Sequence, residues 1–444
     1  MPQKTIFIET YGCSANQNNS EIMAGLLSQS GFLITNNEEL ADIIIINTCV
    51  VKSKTESKIK RRIQDLKSKK LVIITGCMPE TDIKAIKKLN KSSIFLGTHH
   101  FKDIVKIIRD YQEKNLDEKK QEEYLKKINE EKLNLPKIPQ NKLISIHQIS
   151  EGCLGNCSFC KAKIAKGKLF SYPQENIIKS IENDLQSGAK EIWLTSQDCA
   201  SYGLDRDKTE LPELLNKILN LKNNFKLRLG MMNPNNVLPI LDELIKIYKN
   251  KKMYKFIHIP IQSASNKLLG NMNRFYKIRE AEKIINVFQK EFPTITIATD
   301  IIAGYPTETQ EDHKQNLEFI TKFKPSVLNL SKFSKHKSTP AGKLKELPNK
   351  IVKQRTTELM KEHRRTAEEN KKVFLTKEIE VFIDKKISEN LYEARDENYN
   401  IVLIKAGKEN LGRNVSAIIK EVGVHHMIGE LIQLSKYDNK KEIE

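Results

Sequence analysis

The chain of 444 residues carries 75 basic and 56 acidic side chains, a formal charge of +19, and is too long for one small domain. With 39% hydrophobic and 30% charged residues it can build packed cores, which excludes disorder throughout. No apolar run reaches bilayer length, and the opening MPQKTIFIETYGC lacks the basic region, apolar stretch and cleavage site of a secretory leader, so a cytoplasmic protein with no membrane partner is expected.

Residues 1–111 alternate the apolar runs KTIFIET, ADIIIINTC, LVIITGC and SSIFLGT with the helix-period segments SEIMAGLLSQSG, ESKIKRRIQDL and ETDIKAIKKL, the rhythm of βαβ units around a parallel sheet. Ser20 and Thr55 are the candidate N-caps and Gly31 the stop of the first helix, while Lys67, Lys69 and Lys70 read as a solvated helix face. Residues 112–141 are charged, poor in apolar side chains until Leu133 and broken by two prolines, which predicts a linker with some helix. Over 142–372 six strand candidates, LISIHQI, EIWLTS, FKLRLGM, KFIHIPIQ, TITIATDII and SVLNLSKF, alternate with helical crossovers, predicting a partial (β/α) barrel with a trailing charged helix near 350–372. Residues 373–436 change to short alternating stretches bounded by Gly and Asn, predicting a small antiparallel β-barrel, and 437–444 form a tail. The fold class is therefore α/β with a terminal β domain. Net charge over 1–110, 111–372 and 373–444 is +6, +15 and −2, so the basic excess is central; it suits an acidic partner, although solubility is the plainer account.

Seven cysteines are too few for a secreted disulfide scaffold, so their spacing matters more than their number. Cys153, Cys157 and Cys160 stand in SEGCLGNCSFCKAK, directly after a predicted barrel strand. Structural zinc would want a fourth ligand, and the nearest histidine, His147, lies in that preceding strand. A four-iron cluster held by three thiolates leaves one iron open for chemistry. Cys13, Cys49 and Cys77 are 36 and 28 residues apart, yet each follows an apolar strand, and in a parallel sheet such strand ends share one edge. They form either a second three-thiolate site or three small buried residues. Cys199 has no evident partner and reads as a free thiol.

These residues resemble a known family. The Cys153–Cys160 set with Phe159 is similar to the signature of radical S-adenosylmethionine (SAM) enzymes, and the upstream triplet in YGCSANQNNSE, INTC and GCMPE resembles the methylthiotransferases. LRLGMMNP, HIPIQSASNKLLGNMNR and TDIIAGYPTETQED look like stations of that catalytic barrel, and the terminal β domain is similar to the RNA-binding TRAM domain. The Ser14-Ala15-Asn16 run points to the archaeal and eukaryotic-type branch acting on N6-threonylcarbamoyladenosine in tRNA, rather than the branches acting on isopentenyladenosine or a ribosomal protein.

The resemblance implies two [4Fe-4S] clusters, one on Cys13, Cys49 and Cys77 and one on Cys153, Cys157 and Cys160, with SAM bound at the open iron of the second. It further implies a 5′-deoxyadenosyl radical that takes hydrogen from C2 of the modified adenine, and sulfur and methyl added there. An electron donor and a sulfur source are implied partners beside tRNA. Phe159 would pack near the SAM adenine, and Ser196, Gln197, Asp198 and Arg228 would contact the cofactor; Ser196 stands where relatives often have glycine. His258, Gln262 and Asp300 could reach the same cavity or be satisfied polar residues at its mouth. Lys161, Lys163, Lys166, Lys168, Arg364 and Arg365 could hold the RNA backbone, with Arg413 and Lys420 as a local face of the acidic last domain. An RNA-binding protein with structural zinc and a two-cluster electron carrier are the competing readings.

Overall fold

The computed structural model describes residues 3–66 and 70–432; Lys67, Lys69, the end of the last domain at 433–436 and the tail at 437–444 lie outside the described residues. The first unit runs β1 (Thr5–Thr10), α1 (Ser14–Gln29), β2 (Leu33–Thr35), β3 (Ile43–Thr48), α2 (Ser53–Asp65), β4 (Leu71–Gly76), α3 (Cys77–Leu89), β5 (Ile94–Gly97) and α4 (Ile104–Gln112). Its strands pair in parallel in the order β2-β1-β3-β4-β5. The IIIINT run of β3 is buried along its whole length, as a central parallel strand covered on both faces must be. Ile45 and Ile73 face a layer with Met23, Leu27 and Ile104, and Ile44, Ile46 and Ile74 face the opposite layer with Ile59, Ile63 and Ile86.

Two expected helix starts move. The first helix begins at Ser14 with Cys13 as its N-cap, and Ser20 lies inside it, its hydroxyl within 2.8 Å of Thr10 Oγ1 and accepting from Asn47 Nδ2 at 2.9 Å. The second begins at Ser53 after Lys52, so Thr55 is interior. Apolar periodicity marked the starts too late because the first turns of α1 bury Asn16, Asn18 and Asn19 instead of hydrocarbon. Gly31, at φ +90°, does stop the helix, its N–H bonded to the Ser28 carbonyl. The charged linker contains α5 (Glu118–Glu123) and is docked, with Tyr124 and Leu133 buried and Ile138 N donating to Glu21 O at 2.9 Å. Gly25 permits this approach, since a Cβ there would stand 2.2 Å from the Pro136 carbonyl oxygen.

The second unit contains β6 (Ile144–Gln148), β7 (Ser150–Glu151), α6 (Lys161–Lys166), β8 (Phe170–Ser171), α7 (Gln174–Gln186), β9 (Glu191–Thr195), α8 (Leu211–Leu219), β10 (Lys226–Leu229), α9 (Pro234–Val237), α10 (Leu241–Tyr248), β11 (Phe256–His258), α11 (Asn266–Asn271), α12 (Ile278–Glu291), β12 (Thr296–Ala303), α13 (Gln310–Phe323), β13 (Val327–Lys332) and α14 (Asn349–Lys371). All six expected barrel strands form, in two parallel sheets, β10-β9-β6 and β11-β12-β13, joined through the Leu227–Met253 bridge, so the barrel is partial. Ile192, Leu194, Leu227, Leu229, Ile257, Ile297 and Ile301 pack outward into the helical layer. Strand alternation therefore turns Trp193, Arg228, His258 and Asp300 toward the lumen. Among the described residues no helix is long and apolar enough to cross a membrane.

The third unit, β14 (Glu378–Lys386), β15 (Leu391–Asp396), β16 (Ile401–Lys405), β17 (Asn414–Val422) and β18 (Met427–Leu431), closes as a barrel in the order β14-β15-β16-β18-β17, antiparallel except for β16 with β18. Its β15–β16 turn seats in the strand-start end of the central barrel, where Lys255 N donates to Glu397 O at 2.8 Å and Thr296 Oγ1 to Asn400 Oδ1 at 3.2 Å. The Tyr399 ring lies 4.9, 5.2 and 6.0 Å from those of Tyr254, Phe256 and Trp193, and so floors the lumen. Tyr399 is partly buried, so Tyr399→Ala is expected to cost about 2 kcal/mol, below the range for a fully buried aromatic, with faster proteolysis between residues 372 and 378. An unchanged denaturation midpoint would contradict this docking.

Candidate active site at two cysteine triads

Cys13, Cys49 and Cys77 follow β1, β3 and β4, three neighbouring strands, at the same edge of the sheet. The register aligns Thr48 with Gly76, which puts the next residues, Cys49 and Cys77, side by side. Two glycines make room. A Cβ on Gly12 would stand 2.9 Å from Cys49 Sγ, and one on Gly76 would stand 2.5 Å from Asn47 Oδ1; both have positive φ. Asn16 Nδ2 donates at 2.8 Å to the carbonyls of both Tyr11 and Thr48, pinning the loops that carry Cys13 and Cys49. The Ser14-Ala15-Asn16 run thus has a mechanical role. Burial raises the thiol pKa of Cys49, and that of Cys77 to about 12, with the neighbouring thiols adding to the shift.

Cys153, Cys157 and Cys160 lie on the loop between β7 and α6, at the strand-end edge of the central barrel. Each sulfur has an N–H donor: Gly155 N to Cys153 at 3.2 Å, Arg274 Nη1 to Cys157 at 3.5 Å and Lys163 N to Cys160 at 3.4 Å. Such donors stabilise thiolate over thiol, against the burial that pushes Cys153 up to about 11. The loop is held by Ser158 N to Met272 O at 3.0 Å and by Asn273 Nδ2 to Asn156 O at 2.7 Å. Phe159 packs into the apolar group of Leu268, Met272, Ile302 and Tyr305.

Among the described residues no three His, Cys, Asp or Glu side chains converge on the position of a single metal ion. Three thiolates without a fourth protein ligand suit a four-iron cube with one open corner better than four-coordinate zinc. His147 is no fourth ligand: it is fully buried on the helix-facing side of β6 against Ser145 and Asp184, and burial lowers its pKa to about 4.

At the ends of β9 and β10, buried Gln197 Oε1, Asn233 Oδ1 and Asn235 Oδ1 have no protein partner, a set of acceptors suited to the N–H groups of SAM. Ser196 and Asp198 build the loop around them. Ser196 Oγ accepts from Asp198 N at 3.1 Å, and the Asp198 carboxylate accepts from Asn233 N at 2.9 Å and Asn236 Nδ2 at 2.7 Å. Burial raises the Asp198 pKa to about 6. Arg228 lies deeper, its guanidinium carbon 4.8, 5.0 and 5.3 Å from the ring centroids of Phe256, Tyr399 and Trp193. His258 Nε2 bonds Asp300 within the lumen, and Gln262 takes φ +64° as its backbone bonds those of Asp300 and Ile302. Cys199 is buried against Gly230, its pKa raised to about 12 by burial, and is a free thiol. Arg274 is the contact that spacing did not single out, although it stands in the quoted HIPIQSASNKLLGNMNR segment.

Three lysines expected to face RNA are engaged by the protein itself, two of them buried. Lys161 Nζ pairs with Glu56 at 3.1 Å and with Asp82, Lys166 Nζ pairs with Glu151 at 3.1 Å, and Lys163 Nζ bonds the Cys153 carbonyl. Lys161 and Lys166 are 4% and 3% exposed, which withdraws them from any phosphate. Lys168, Arg364 and Arg413 are exposed; Arg365 pairs with Glu362 and Glu369, and Lys420 with Glu430.

The family described as "Uncharacterized protein family UPF0004" matches residues 5–97 and the "Radical SAM superfamily" matches residues 148–320. The radical S-adenosylmethionine methyltransferase TsrM from Kitasatospora setae superposes over 77% of this chain and 75% of its own at 13% identity, with a TM-score of 0.56, which is a likeness of fold. Proteins named threonylcarbamoyladenosine tRNA methylthiotransferase from Xenopus laevis and Homo sapiens are 35% and 33% identical over 96% and 97% of this chain, covering 77% and 74% of theirs. A Pyrococcus horikoshii protein named for the same activity is 36% identical over 96% of this chain and 99% of its own. Similarity of this extent, across every domain and not one motif, makes the chain a member of the threonylcarbamoyladenosine tRNA methylthiotransferase family.

Proposed function

We propose that this protein converts N6-threonylcarbamoyladenosine next to the tRNA anticodon to its 2-methylthio derivative, in the cytoplasm, using SAM, an external electron donor and a sulfur source. The observation that carries the reading is a pair of cysteine triads, one at the strand ends of each α/β unit, within a chain similar along its length to enzymes of that name. When bound, two [4Fe-4S] clusters and SAM supply the radical, sulfur and methyl chemistry. Cys153, Cys157 and Cys160 hold one cluster and Cys13, Cys49 and Cys77 the other.

The chain's own residues do the rest. Arg274 stands against Cys157 through Nη1, with Nη2 bonded to Pro260 O at 2.8 Å, so its charge is fixed in direction. Gln197, Asn233 and Asn235 offer acceptors to the cofactor's amino groups, and Asp198 fixes the spacing of the loops that carry them. Phe159 supplies an apolar wall for its adenine. Tyr399 and the aromatic cage of Arg228 close the lumen below, excluding water from a site where a carbon radical would be quenched. Recognition of a splayed loop base, together with the exposed Lys168, Arg364 and Arg413, accounts for RNA binding without duplex reading.

Cys13→Ala should lower iron from about eight to about four per chain and abolish methylthiolation while 5′-deoxyadenosine release persists, whereas Cys157→Ala should abolish that release. Anaerobic iron analysis and product chromatography check both, and tightly held zinc without SAM cleavage would sink the enzyme reading. Arg274→Gln, which removes a charged donor from Cys157, is expected to weaken SAM cleavage about tenfold. In a deletion strain, nucleoside mass spectrometry of tRNA should show loss of the methylthio derivative of threonylcarbamoyladenosine; loss of the isopentenyl counterpart instead would overturn the substrate.

A further inference from the structure

Between the first sheet and the central barrel lies a group of charges that the proposed reaction does not use. Lys132 and Lys166 share the carboxylate of Glu151, at 2.6 and 3.1 Å, with all three side chains no more than 4% exposed. Lys166 also donates to Thr98 Oγ1 at 2.6 Å and Lys132 to Thr98 O at 2.7 Å, and His99 Nε2 bonds Ala165 O at 3.1 Å. Burial works against both lysines. It takes Lys132 down to about 8, whereas in Lys166 it is overridden by Glu151 and by the Cys77 thiol, and Glu151 is held near 2 by the lysines. Two cations thus share one carboxylate; the further acid beside them, Glu80, accepts from Thr98 N at 2.9 Å and is raised to about 7 by burial, so it balances the second lysine only in part.

Burying a net charge is costly unless an opposite charge faces it. The Glu151 carboxylate accounts for one lysine, and Lys132 further stacks on Phe101 with its nitrogen 4.8 Å from the ring centroid. Lys166 is also within electrostatic reach of Cys49 and Cys77 in the first triad, where its charge favours the thiolates against burial. Ala165 belongs to the same packed group as Cys49, Cys77, Tyr11 and Met78, and α6 lies against α3, whose first residue is Cys77. Three thiolates on a cluster are an anion, here with Cys49 and Cys77 buried and Cys13 at the exposed rim, and Lys166 is the cation brought to their buried side by the other domain.

We propose that Lys166, oriented by Glu151, is a positioning residue for the first triad: it neutralises the anionic three-thiolate cluster and raises its reduction potential. This rests on the functional reading above, because without a cluster on Cys13, Cys49 and Cys77 there is nothing to neutralise. Arginine would keep the charge at this position, and glutamine would keep the length and lose it.

The test uses the full-length reconstituted protein as wild type, Lys166→Gln and Lys166→Arg, titrated anaerobically with detection by electron paramagnetic resonance. The signal that does not change on adding SAM reports the first cluster. Lys166→Gln should move its midpoint to more negative potential and reduce methylthiolation at least tenfold, with iron content and SAM cleavage kept, and Lys166→Arg should restore both. Lys166→Met, similar in length and uncharged, serves if Lys166→Gln does not fold: a negative shift supports the proposal and an unchanged midpoint overturns it. Wild type with about eight irons and no shift in Lys166→Gln overturns this proposal alone, as does failure of Lys166→Arg to rescue. Wild type with only about four irons overturns the functional reading and this proposal with it.

Discussion

The arrangement depends on one short helix. The six residues of α6 have Cys160 as N-cap at one end and Lys166 at the other, a span of roughly 9 Å at 1.5 Å per residue. One end therefore belongs to the barrel's thiol set and the other is buried among the charges beside the first. Lys161, between them, pairs with Glu56 on α2 and Asp82 on α3. Cutting both pairs would leave the buried Lys161 charge uncompensated, which is why such contacts hold orientation even where they add little net stability. The relative placement of the two thiol sets is thus a property of this interface.

Glycine and asparagine perform the finer work on the first side. A parallel sheet brings strand ends to one edge without any special residue, but it does not bring loops into contact. Gly12 and Gly76 remove the Cβ atoms that would hold the loops apart, and Asn16 ties two of them by their carbonyls. Neighbouring buried Asn16 Oδ1 and Asn47 Oδ1 are left without partners. The site is assembled from backbone geometry first and side-chain chemistry second.

The strands of all three domains were readable because each repeats a period over several residues, and the cysteines were readable because each follows such a strand. The lysines of KAKIAKG were not. In sequence they look like a solvated face beside a metal loop, and only the long-range placement of Glu56, Asp82 and Glu151 turns them inward. The same limit applies to residues 112–141, whose charge predicts solvent exposure, although Gly25 opens a path for Pro136 against α1. Arg274 was missed for a related reason: it lies 117 residues from Cys157, and nothing local marks an arginine as a partner of a thiol. Long-range polar contacts leave no period in a sequence.

The lumen has one closed end and one open end, and this constrains how RNA can be held. Tyr399 and the β15–β16 turn occupy the strand-start end, while both thiol sets and the unpartnered acceptors of Gln197, Asn233 and Asn235 lie at the strand-finish end. Strand β12, with eight residues, gives that depth as about 25 Å at 3.3 Å per residue. An RNA bound both by the terminal barrel and at the thiol edge must run along the outside of the central barrel over that distance, because the interior path is stopped by an aromatic floor. The exposed Arg364 on α14 and Lys168 beside the cysteine loop stand on that outer surface, whereas the buried lysines of α6 serve the interface instead. The basic charge of the chain is therefore divided by position: part stands exposed on the outer surface, and part is buried where the first unit meets the barrel.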